Sequence, residues 1–189
     1  MAGGEILFCR DRGEWRAWLE EHFKTCDEVW FVFPSAASGE KGVLYNDAVE
    51  EALCFGWIDG RAGTLDATHQ LRRFTPRRKA SPYSRPNIER LIKLDAEGKI
   101  HPEIRPSVEA LITAPFVYPV DILEAIRSDG EAWKHFESFP EPYKRIRVAY
   151  VDAARKRPAE FQKRLDNFIR RTRENKLITG YGGIEKYYK

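Results

Sequence analysis

In the stretch RGEWRAWLEEHFK, residues 12–24, Trp15, Trp18, Leu19 and His22 stand at i, i+3, i+4 and i+7, which predicts an amphipathic helix. The run VWFVF at Val29–Phe33 is short, apolar and rich in β-branched and aromatic residues, the pattern of a buried strand. PSAASGEKG, with Pro34, Gly39 and Gly42, predicts a loop. NDAVEEALCFG predicts a short helix: Asn46 as its cap, Asp47, Glu50 and Glu51 in its first turns, and Gly56 at its end. Val49, Ala52 and Leu53 mark its core face, and Asp47, Glu51 and Cys54 fall on another. WIDGRAGTLDATHQLRRFTPRR then predicts a β-hairpin: a strand-like WID, a turn around Gly60 and Gly63, and a second strand over Gln70–Thr75.

Ser81, Pro82, Ser84 and Pro86 delay regular structure until Asn87, which is placed to cap a helix ending at Gly98. Residues 99–120, with four prolines and one helical stretch at Ser107–Thr113, read as a connector. Beyond it, 3.6-residue patterns at Asp121–Arg127, Gly130–Phe139, Tyr143–Ala154 and Ala159–Glu174 predict a small helical bundle. The fold class is α+β: a domain over residues 1–115 with a short sheet and hairpin, a helical module over 116–180, and a flexible tail over 181–189.

A chain of 189 residues with 42% hydrophobic and 13% aromatic content can bury a core without disulfides. No run is long enough to cross a bilayer and no secretory leader is visible, so the expected compartment is the cytoplasm. Cys9, Cys26 and Cys54 lack a CxxC spacing and read as reduced thiols. The four histidines lie far apart and no phosphate-binding glycine motif is present, so neither a metal nor a cofactor is expected.

The net charge of +3 hides segregation: residues 72–93 carry eight cations against Glu89, and residues 144–176 carry twelve against four acids. Such fields favour anionic partners. Within RFTPRRKASPYSRPN, arginine forks, hydroxyls and proline-stiffened backbone suit a small anion, and a helix N-terminus at Asn87 adds free N–H groups. Strand alternation puts Arg73, Thr75 and Arg77 on one face, joined as candidate ligand-binding residues by Arg78, Ser81, Ser84, Asn87 and Asp59. The alternative is structural: these arginines pair with Asp47, Glu50, Glu51, Asp59 or Asp66 and lock hairpin to helix.

Asp59 is also a candidate base, or it caps a turn; Cys54 is a candidate nucleophile only if a base activates it, and no such base is identified. A nucleic-acid partner is a second reading, with Phe74, Tyr83, Tyr143 and Phe168 stacking bases.

The blocks SGEKGVLYNDAVEEALCFGWIDG and RRFTPRRKASPYSRPNIERL resemble the YdeI/OmpD-associated family, also described as bacteriocin-protection proteins. The segment from PVDILEAIRSDG to RLDNFI, with its ARKRP element, looks like the helical module of that family. Where relatives carry a lysine-containing KKxSG this chain has Ser35, Ala36 and Ala37 before Ser38, and Tyr83 stands where tryptophan is usual. The resemblance implies protection against antimicrobial peptides and, in some members, association with an outer-membrane porin; it implies no established reaction.

Overall fold

The computed structural model describes residues 4–78, 81–180 and 185–187, which divide into two units. The first comprises Met1–Tyr83 and Arg90–Ile112, the second Ser84–Glu89 and Thr113–Lys189. The α+β expectation holds: a four-stranded sheet lies in the first and a set of helices in the second. Among the described residues no helix is long and apolar enough to cross a membrane.

In the first unit the chain forms β1 (Glu5–Leu7), α1 (Arg12–His22), β2 (Val29–Pro34), α2 (Tyr45–Cys54), β3 (Trp57–Thr64) and β4 (His69–Pro76). The sheet order is β1-β2-β4-β3, with β1 parallel to β2 and the other pairs antiparallel. One sheet face is apolar because Phe31 and Phe74 project from it onto Trp15 and Leu19 of α1 and onto α2, forming the core. Trp15 Nε1 donates to Ala48 O at 3.0 Å, tying α1 to α2 and satisfying an indole donor in an apolar setting.

Three expectations need correction. β3 runs straight through Gly60 and Gly63, with an irregularity between Asp59 and Ala62, and the turn falls at residues 65–68. There the Asp66 carboxylate accepts from the N–H groups of Thr68 and His69, fixing the reversal, while a side chain at Gly63 would meet the Trp30 ring at 3.0 Å. Asn46 does not cap α2. Leu44 occupies that position, and the Asn46 carbonyl is instead taken by Arg90 at 3.2 Å. Asn87 lies inside the first turn of α3 (Arg85–Ala96), because Pro86 has the fixed φ of a first helical turn and lets the helix begin earlier. β1, unforeseen, is three residues, Glu5 and Ile6 exposed and Leu7 half-buried, too short for a readable alternation.

After α3 and α4 (Arg105–Thr113), the second unit contains α5 (Val120–Arg127), α6 (Gly130–Ser138), α7 (Glu141–Asp152) and α8 (Pro158–Arg173). Prolines in the first turns of α7 and α8 start those helices, and Asp129 caps α6. Ile122, Ile126, Phe136, Tyr143, Ile146 and Phe168 form the core. Of the expected flexible tail, 181–184 and 188–189 lie outside the described residues; Glu185–Tyr187 is a short 3-10 turn whose Tyr187 joins this core.

Candidate functional site

Strand alternation along β4 places Phe74 in the core, with Arg73 and Thr75 on the opposite face beside their register partners Trp30 and Ile58. Arg73 is neutralised there: its guanidinium pairs with Glu28, Nε to Oε2 at 2.8 Å. Glu28 was not among the carboxylates considered from sequence. It stands two residues before Trp30, so it projects from the same face and reaches Arg73 diagonally across the ladder.

Arg77 is placed differently. Its guanidinium lies 3.7 Å over the Tyr83 ring, and Nη2 donates to the carbonyls of Ser81 at 3.2 Å and Pro82 at 3.0 Å. Its Nε is buried and has no hydrogen-bond partner among the described residues. Arg78 beside it is exposed and has no ion pair among the described residues; Lys79 falls outside them. Arg72, on the other face, donates to Gly60 O at 3.1 Å and covers the Tyr45 ring. Arg72 and Arg77 therefore rest on carbonyls and rings, which orient a cation without cancelling its charge.

Asp59 pairs in register with Phe74, so it faces away from Arg73 and Thr75. It accepts the Tyr45 hydroxyl at 2.5 Å, and burial first, then this carboxylate, pushes that phenol up to about 12. Ser84 and Asn87 group with the second unit, whereas Arg73, Thr75, Arg77, Arg78 and Ser81 group with the first. Among the described residues the acidic face of α2 is met from α1: Arg12 reaches Glu51, Asp47 and Glu50 at 2.8, 3.1 and 3.1 Å, and Arg16 reaches Glu51 at 3.0 Å.

Cys54 ends that helix, fully buried. Burial and Glu51 push its thiol up to about 12 against the opposing pull of Arg16, so it is held protonated, the unreactive form. Of the aromatic residues proposed to stack bases, Phe74, Tyr143 and Phe168 are core side chains at 1% exposure or less, and only Tyr83 is partly open, beneath Arg77.

Sequence reasoning treated the loop before α2 as punctuation, yet it lines a cavity of 560 Å³ with Arg10, Ser35, Lys41 and Tyr45. The hairpin turn carries the other unforeseen arrangement. The Thr68 N–H first, and then His69, hold the Asp66 carboxyl down at about 2, while Asp66 holds the His69 imidazolium above its ordinary range. That attraction operates while His69 is protonated and is lost as pH rises through its raised value. Asp66→Asn should lower the His69 midpoint in a ring-proton NMR titration; an unmoved midpoint would contradict the contact.

A family model described as a domain of unknown function (DUF8412) matches residues 7–106, and one described as bacteriocin-protection, YdeI or OmpD-associated matches residues 115–175. The SGEKG and RFTPRR motifs fall within the first match and ARKRP within the second. No curated protein and no solved structure matches the chain.

Proposed function

Because the chain belongs to the DUF8412 family and carries a YdeI/OmpD-associated module after that domain, we propose that it is a cytoplasmic binding protein for a small anionic ligand. The ligand is taken at the exit of the hairpin by Arg77 and Arg78, with Thr75 and Ser81 as neighbouring hydroxyls. The bacteriocin-protection description of the module supplies the setting in which such a binder would act.

The observation that carries this reading is the Arg77 guanidinium, which among the described residues is held by the Ser81 and Pro82 carbonyls and the Tyr83 ring and meets no carboxylate. Carbonyls and a ring orient the guanidinium without cancelling its charge, so an anion at its open edge gains charge-assisted hydrogen bonds worth about 1.5–3 kcal/mol. Arg73 departs from the ligand group in this reading, since Glu28 already holds it. Enzymatic use of Asp59 finds no comparable support: its oxygen is engaged by Tyr45.

Inorganic phosphate is the first probe. It should raise the melting temperature of the full chain, and Arg77→Ala should weaken its binding by about 1.5–3 kcal/mol, the span of hydrogen bonds to charged groups. Arg73→Ala should leave phosphate affinity unchanged. Loss of affinity in Arg73→Ala with none in Arg77→Ala would overturn the assignment, as would a phosphate-blind wild type.

A further inference from the structure

We propose that the helical module holds a separate binding site, a cavity lined by α7, α8 and residues 178–180, which takes a small carboxylate with an apolar body. The inference does not rest on the hairpin reading, because every lining residue belongs to the second unit. The cavity measures 480 Å³, within the usual span for small-molecule sites.

Its lining has two chemistries. Val151 and Phe168, both almost wholly buried, and Ile178 give an apolar floor. Cations surround that floor. Arg147 is 3% exposed and donates to the Ile178 carbonyl, which fixes a positive charge in the wall. Arg164 is held in place on three sides: Nε gives to Glu160 at 2.7 Å, Nη1 gives to Tyr150 O at 2.9 Å, and the guanidinium lies 3.9 Å over the Tyr150 ring. Its Nη2 has no hydrogen-bond partner among the described residues, so one edge of a pre-oriented fork remains available.

Lys163, exposed at the rim, has no ion pair among the described residues. Asn167 spends its carbonyl on Arg170 at 2.9 Å, leaving its amide N–H groups as donors. Among the described residues Glu160 is the one carboxylate in the lining, and it is engaged by Arg164. Donors outnumber acceptors around an apolar floor. An inorganic anion alone would leave that floor wet, and a neutral apolar molecule would leave the donors unused. A carboxylate with a short hydrocarbon or aromatic body satisfies both.

Octanoate is the probe, titrated to about 1 mM into the ¹⁵N-labelled full chain. Amide shifts should cluster within 147–180. Lys163→Glu should weaken binding about tenfold or more through loss of a charge-assisted contact, and the neutral octanamide should bind at least about tenfold less tightly than octanoate for the same reason. Arg164→Gln should act in the same direction; since it also removes the Tyr150 contact, the exposed Lys163 variant is the decisive one. Arg77→Ala should leave octanoate binding untouched, which separates this site from the hairpin. The proposal fails if octanoate moves no amide in 147–180, or if octanamide binds as tightly and Lys163→Glu changes nothing.

Discussion

Glu89→Gln is expected to destabilise the helical unit by about 3–5 kcal/mol, the cost of removing one partner from a buried charge cluster. Glu89 is 3% exposed and serves two cations, Arg85 through Nε at 2.7 Å and Arg145 through a bidentate pair at 2.7 and 2.8 Å. Around this centre Arg85 lies over Phe116, and Glu141 holds the Tyr118 hydroxyl at 3.0 Å with Arg145 nearby. Glutamine keeps the shape of glutamate but supplies no charge, so Arg85 would lose its carboxylate and Arg145 would keep only the more distant Glu141 at 3.6 Å. The comparison variant is Arg170→Ala, whose exposed pair with Glu174 should contribute less than about 1 kcal/mol. Urea unfolding followed by circular dichroism reads both. A loss below about 1 kcal/mol for Glu89→Gln would mean that the cluster is solvated like a surface pair.

The same residue explains part of what the sequence concealed. In sequence Glu89 is a lone acid among eight cations, which leaves open whether that window is a free positive field or is paired with distant carboxylates. Part of the Glu89 pairing is non-local: besides Arg85 it serves Arg145, 56 positions away, and no local pattern announces such a contact. Arg73 and Glu28 are 45 positions apart and met only once β2 and β4 were in register. Arg12 and Arg16, which neutralise α2, stood out no more than any other helical cations at i and i+4.

What was legible was periodic. The helical stripe of α1, the apolar run of β2 and the four helical patterns after residue 120 each repeat a contact direction over several turns or pleats, so they survive folding nearly as read. What shifted were ends and turns, where one side chain decides. Asp66 moved the hairpin turn, Pro86 moved the start of α3, and Arg90 took the Asn46 carbonyl from its capping role. The candidate site followed the same division: the alternation of Arg73 and Phe74 was readable, but whether each arginine met a carboxylate, a carbonyl or a ring was not.

The periodic signal itself yields the second large expectation. Trp15 is fully buried, its ring 4.8 Å from Phe31, 5.5 Å from Phe74 and 5.3 Å from Trp18, so it packs α1 against the aromatic face of the sheet. Trp15→Ala should cost the first unit about 3–5 kcal/mol, since a large cavity opens among side chains that are themselves immobilised by β-strands. Trp15→Phe separates the two contributions of the indole: it restores most of the ring packing but leaves the Ala48 carbonyl without its donor at 3.0 Å, so a residual loss of about 1–3 kcal/mol is expected. Trp18, three residues on and only partly buried, stacks on His22 and Trp15 at the margin of the same cluster. Trp18→Ala should therefore cost clearly less than Trp15→Ala in the same chemical-denaturation series. If the two alanine variants cost the same, the α1 stripe does not divide between core and margin, and the orientation of that helix on the sheet would have to be redrawn.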